Sequence, residues 1–166
     1  MSLNVDGLTF TFDTGCAASK FDDWSFYRGH FSRMWNGIKA VDLVALNANT
    51  AWFVEVKDYR RNPRTKTIDL SAEVGVKVFS TLAAILPAKA NATDPVESSF
   101  AHQLLRTTKV RVVLHLEQPT KHSKLFPRAI DPANVQMKLR SLLKPIDPHP
   151  LVVERARLAS CPWTVT

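Results

Sequence analysis

Residues 8–12 (Leu-Thr-Phe-Thr-Phe) alternate apolar and polar side chains with the period of a half-exposed strand. Further on, Phe21, Trp24, Tyr27, Phe31, Met34 and Trp35 recur at 3.6-residue spacing, which predicts a helix starting at Ser19 and stopped by Asn36 and Gly37. Its aromatic face is expected to pack into the core and not to serve as a base-stacking surface. Residues 41–46 and 51–57 are dense in β-branched and aromatic side chains and flank Asn47-Ala48-Asn49-Thr50, so they predict a hairpin. Helices are expected over 71–86, with Asp69 or Ser71 as cap, over 95–106 and over 132–143. Strands are expected over 110–116 and 151–157, with a long proline-bounded loop at 117–131. Helices interleaved with strands in this way make an α/β (α+β) domain, a central mixed sheet flanked by helices.

Composition narrows the class. At 166 residues the chain fits one domain, residues 1–166. No apolar run in the sequence approaches the roughly 20 residues needed to cross a bilayer, and the first residues lack a signal-peptide pattern. A cytoplasmic protein without a membrane role is therefore expected, with Cys16 and Cys161 as free thiols. Lys and Arg number 22 against 15 acidic residues, a net charge of +7. That excess favours a polyanionic partner, nucleic acid above all, without locating a site.

The hairpin supplies one. Closing it at residues 47–50 sets Val44 opposite Phe53 and Asp42 opposite Glu55. Facing residues hold their Cβ atoms about 4.5–5.5 Å apart, and the period of two puts Phe53, Glu55 and Lys57 on one face. Two carboxylates this close repel, and a hard divalent cation relieves the repulsion. Mg²⁺ or Mn²⁺ held there would suit phosphodiester hydrolysis, with Lys57 placed to orient water or neutralise transition-state charge. An E-x-K triplet alone is weak, since roughly 0.6 chance matches are expected in a chain of this length. An ordinary salt bridge accounts for the lysine but leaves the facing acids unexplained.

In these residues (Val41-Asp42, twelve residues, then Glu55-Val56-Lys57) the chain resembles the PD-(D/E)XK nuclease superfamily, with Val41 in place of the motif's proline. The resemblance implies a restriction-endonuclease-like αβββαβ core over about residues 19–116, with 117–166 as an extension. It implies that Asp42 and Glu55, with the Val56 carbonyl, bind the metal and that Lys57 assists catalysis. Many members carry a further acid on the first helix. Asp22 falls at capping-box spacing from Ser19, and Asp23, nearer the apolar face, is the preferred candidate.

Downstream, Arg60, Arg61, Arg64 and Lys66 are expected to hold phosphates flanking the scissile one. Lys121, His122, Lys124 and Arg128 form a second basic run. Glu73 and Lys77, four apart on a helix, are expected to form a surface ion pair. The five histidines show no zinc-ligand spacing. The expected activity is metal-dependent cleavage of DNA, with RNA left open as a substrate and a homodimer compatible with cutting both strands. The alternatives are a non-catalytic nucleic-acid-binding or complex-assembly module on the same fold, and a basic protein-interaction domain.

Overall fold

A computed structural model of the chain describes residues 1–119 and 129–166. The second basic run, Lys121, His122, Lys124 and Arg128, lies outside the described residues. The strands are β1 (Ser2–Val5), β2 (Leu8–Phe12), β3 (Ala17–Lys20), β4 (Leu43–Asn47), β5 (Thr50–Asp58), β6 (Lys109–Glu117), β7 (Leu151–Val153) and β8 (Trp163–Val165). The α-helices are α1 (Ser25–Gly29), α2 (Leu70–Asn91), α3 (Pro95–Leu105) and α4 (Pro132–Leu143).

A five-stranded sheet of order β3-β4-β5-β6-β7 forms the centre. β3, β4 and β5 are mutually antiparallel, whereas β5, β6 and β7 run parallel. The parallel step needs a crossover, and α2 and α3 supply it. The second sheet, β1-β2-β8, is antiparallel throughout. The alternation within the hairpin decides which layer each residue joins. Val44, Leu46, Ala51 and Phe53 pack with Val74, Val78 and Ile85 of α2, while Leu43, Ala45, Trp52, Val54 and Val56 pack with Phe10, Phe12 and Trp163 of the small sheet. The central sheet is thus covered by helices on one face and by strands on the other.

Several expectations are met closely. β2, α3, β6 and α4 fall within a residue or so of their predicted spans, and Asp69 caps α2 by accepting the Ser71 and Ala72 N–H groups. The strand expected at 151–157 is shorter, ending at Val153. α2 continues past Pro87 to Asn91, five residues beyond its predicted end. A proline in a helix interior costs about 3 kcal/mol, but buried Ile85 and Ala88 on either side of it anchor the last turns in the core. α2 runs for 22 residues and has a mean hydropathy of 1.4 over an 18-residue stretch, enough by length and composition alone to cross a bilayer, although Glu73 and Lys77 interrupt its apolar run as the sequence reading had it. Here its buried row faces the sheet.

The first helix is the largest departure. Residues 19 and 20 belong to β3, where they pair with Val44 and Leu43. The chain then makes a 3-10 turn (Phe21–Asp23), the short α1, and a second 3-10 turn (Phe31–Arg33). The apolar spacing still reports burial: Phe21, Trp24, Tyr27 and Phe31 are all in the core. Buried Glu97 of α3 sets the entry to α1, its carboxylate accepting the Ser25 and Phe26 N–H groups at 2.6 and 3.1 Å. After residue 42 the elements run strand, strand, helix, helix, strand, and the first helical segment lies between β3 and β4 and not ahead of three strands as the αβββαβ expectation had it. The stretch after residue 129 is integrated: α4 packs in the same core as α2, β7 extends the main sheet and β8 completes the small one.

Candidate active site

β4 and β5 pair in the predicted register, with Val44 opposite Phe53 and Leu43 opposite Val54. Continuing that register one step places Asp42 opposite Glu55. There the ladder gives way to a side chain: the Val56 N–H donates to Asp42 Oδ2 at 2.6 Å. The Asp42 backbone is fixed as well, its carbonyl accepting the Phe21 N–H at 2.9 Å. Tyr27 fastens the approach to it, donating to the Ile38 carbonyl at 2.8 Å and accepting the Ala40 N–H at 3.1 Å.

Glu55 is fully buried. Its Oε1 lies 2.5 Å from both Lys57 Nζ and Lys77 Nζ, while Oε2 has no hydrogen-bond partner. Lys77, from α2, also approaches Asp42 Oδ1 at 3.9 Å. Burial, reinforced by the Asp42 charge, pushes the Glu55 carboxyl up to about 7. Lys57 is itself partly buried, which opposes its charge, but the surrounding acids, Glu55 first, hold its ammonium above the ordinary value. Both groups therefore hold their protons to higher pH than free side chains do, Glu55 because it is desolvated and Lys57 because carboxylates surround it.

Glu73 forms the adjoining wall, and it does not pair with Lys77. Arg64 reaches its Oε2 at 2.8 Å and Lys66 its Oε1 at 2.5 Å, with Lys57 Nζ 3.9 Å from Oε1. Although burial works against ionisation, the bonds from Lys66 and Arg64 draw the Glu73 carboxyl down to about 2. Arg64 further donates to the Tyr59 hydroxyl at 3.0 Å and the Ile68 carbonyl at 2.6 Å, so the basic loop is folded back onto this wall. Arg60 instead grips Asp58, and Arg61 is exposed with no ion pair among the described residues. Of the four cations expected to act together, only Arg64 and Lys66 converge on the acid–lysine cluster.

The structure separates the two helix-start acids. Asp23 is held by Lys20 at 2.9 Å and by Arg28, and the Lys20 bond draws its carboxyl below the ordinary range. Asp22 is the one that senses the site: burial first, then the Asp42 charge, raises its pKa, and its Oδ1 is buried without a partner. The preference for Asp23 rested on the geometry of a continuous helix that does not form.

Among the described residues no group of three or more His, Cys, Asp or Glu side chains is arranged to hold a metal ion. The donors present do suit a hard cation. Glu55 Oε2 and Asp22 Oδ1 are buried carboxylate oxygens without donors, and the nearest ammonium to Asp42 Oδ1 is 3.9 Å away. Val56 enters the cluster through its N–H.

Comparison with known proteins adds one relative. The chain is 28% identical, over 96% of its length, to part of a cysteine–tRNA ligase from Neisseria meningitidis serogroup A / serotype 4A (strain DSM 15465 / Z2491). It spans 29% of that ligase, less than a third of the relative's length. No family model matches the chain. No solved structure matches it.

Proposed function

We propose that the Asp42–Glu55–Lys57 cluster is the centre of a Mg²⁺- or Mn²⁺-dependent endonuclease-type phosphodiesterase acting on DNA. The observation that carries this reading is the pair of facing acids, one fully buried with an oxygen lacking any donor, beside an ammonium at 2.5 Å. Asp42, Glu55 and the Val56 carbonyl would hold the ion, and Asp22 is better situated than Asp23 to join them. When bound, such an ion polarises a phosphoryl oxygen and lowers the pKa of water.

The chain's own groups do the rest. Lys57, the most exposed of the central four side chains, orients the attacking water or neutralises charge on the phosphate. Lys77 keeps the two acids together when no other cation does. Arg64 and Lys66 can leave Glu73 for a phosphate flanking the scissile bond, a charge-assisted exchange of one anion for another. A cytoplasmic location and a homodimer, which would present two centres to a duplex, belong to the same proposal.

A second reading has a specific observation behind it. Lys77 already balances the acids internally, and the matched relative is named for tRNA, so a non-catalytic module that binds structured RNA is the alternative. Nicking of supercoiled plasmid and of a tRNA transcript in Mn²⁺, with EDTA and Glu55→Gln as controls, decides between them. Metal-dependent nicking lost in Glu55→Gln is the expected result. Salt-sensitive binding of either nucleic acid without any cleavage would leave the binding module in its place.

A further inference from the structure

Trp35 was expected in the core and is not there. It is 86% exposed, whereas Trp24, Trp52 and Trp163 are 4%, 7% and 2% exposed. Its φ is +49°, in the left-handed region that bulky residues seldom occupy. The tip that carries it is nonetheless fastened on both sides. The Met34 N–H donates to the carbonyl of buried Phe31, and the Gly37 N–H donates to the Met34 carbonyl, each at 3.1 Å. Just beyond, Ile38 and Ala40 are bound to Tyr27 as described. The indole is therefore presented outward by a turn that is itself anchored in the core.

Two cations bracket it along the chain. Arg33 and Lys39 are exposed and make no ion pair among the described residues. Met34, 42% exposed, adds an apolar neighbour. An aromatic face between uncommitted cations is the combination that receives single-stranded nucleic acid, bases stacking on the ring while the cations follow the backbone. Asp42 follows seven residues later, at most roughly 25 Å along the chain, so a strand seated on Trp35 can reach the acid–lysine cluster.

We propose that Trp35 is a stacking platform for an unpaired nucleobase, flanked by Arg33 and Lys39 as phosphate contacts. The proposal rests on the nucleic-acid reading above but not on catalysis. Because three of the four tryptophans are buried, the full chain reports directly on this one. In EDTA, where no cleavage is expected, a single-stranded oligonucleotide is expected to quench tryptophan emission saturably and more strongly than the blunt duplex of the same sequence.

Trp35→Ala should weaken single-strand binding roughly 5- to 150-fold, the range for a lost base–aromatic stack, and abolish most of the quench. Trp35→Phe should restore most of the affinity. Unchanged emission on binding, equal affinity of Trp35→Ala, or no binding of the single strand each overturns the platform. So does an emission shift that follows protein concentration without oligonucleotide, which would assign the surface to a second copy of the chain. Quenching without cleavage in Mn²⁺ would remove the enzymatic reading alone, and cleavage with no role for Trp35 would remove only the platform.

Discussion

Lys57→Ala is expected to lower the single-turnover rate of metal-dependent cleavage by roughly 10²- to 10⁴-fold, the range for losing a positioned proton-transfer or charge-stabilising group. The same substitution should leave Mn²⁺ affinity within a few-fold. The geometry separates these outcomes. Lys57 meets Glu55 through Oε1, which Lys77 also holds at 2.5 Å, so the carboxylate keeps a counter-ion when Lys57 is removed. Oε2, the oxygen available to a cation, is engaged by neither lysine. An alanine variant that cleaves at the parental rate would show that Lys57 is an ordinary ion-pair partner.

The second large effect is on stability. Glu55 in the folded chain ionises near 7, whereas a carboxyl of this kind ionises near 4.5 when unperturbed. Between those values the folded state binds more protons than the unfolded state, so stability falls as pH rises. The stabilising contribution is fully present below about pH 4.5 and is gone above about pH 7, a change of roughly 3 kcal/mol in metal-free protein. Other carboxylates move the other way: Glu73, drawn down to about 2, contributes stability that is lost as pH falls toward that value. The two windows barely overlap. Urea denaturation in EDTA from pH 5 to 8 should therefore show declining stability in the wild type and a flatter profile in Glu55→Gln. Parallel profiles would mean that Glu55 is ionised throughout. A bound divalent cation should flatten the wild-type profile too, because it replaces the proton as the partner of the carboxylate.

How far the sequence reached depended on which interactions were local. The β4–β5 register follows from a short turn and a period of two, so the placement of Asp42 against Glu55 could be counted out residue by residue. β6 and α4 were legible for similar reasons, being long segments with clean boundaries. The helix expected from Ser19 was not, because apolar spacing reports which side chains are buried and not the backbone path that buries them. Pairing of Ser19 and Lys20 with β4, and the Glu97 carboxylate reaching across from α3, are long-range events that break the helix into turns. The expectation that Asp23 lies nearer the site than Asp22, and the core position assigned to Trp35, were both inherited from that helix.

Glu73 and Lys77 illustrate the same limit from the other side. Four residues apart on a helix, they read as a surface pair, yet each turns to a different partner in the site. A signal was present. Lys77 lies three residues after Val74 and four before Thr81, both fully buried, so it had to face inward and find an acid there. The short strands β1, β3 and β8, of three or four residues, carry too few positions for a period to emerge.

The claim on which the functional reading depends is that Asp42 and Glu55 together hold a divalent cation. Calorimetric titration of Mn²⁺ into the metal-free chain at pH 8, beside Asp42→Asn and Glu55→Gln, tests it without reference to any substrate. Saturable binding at one ion per chain is the predicted result, weakened at least tenfold in each variant. Binding of equal strength in all three proteins, or none in the wild type, would contradict it.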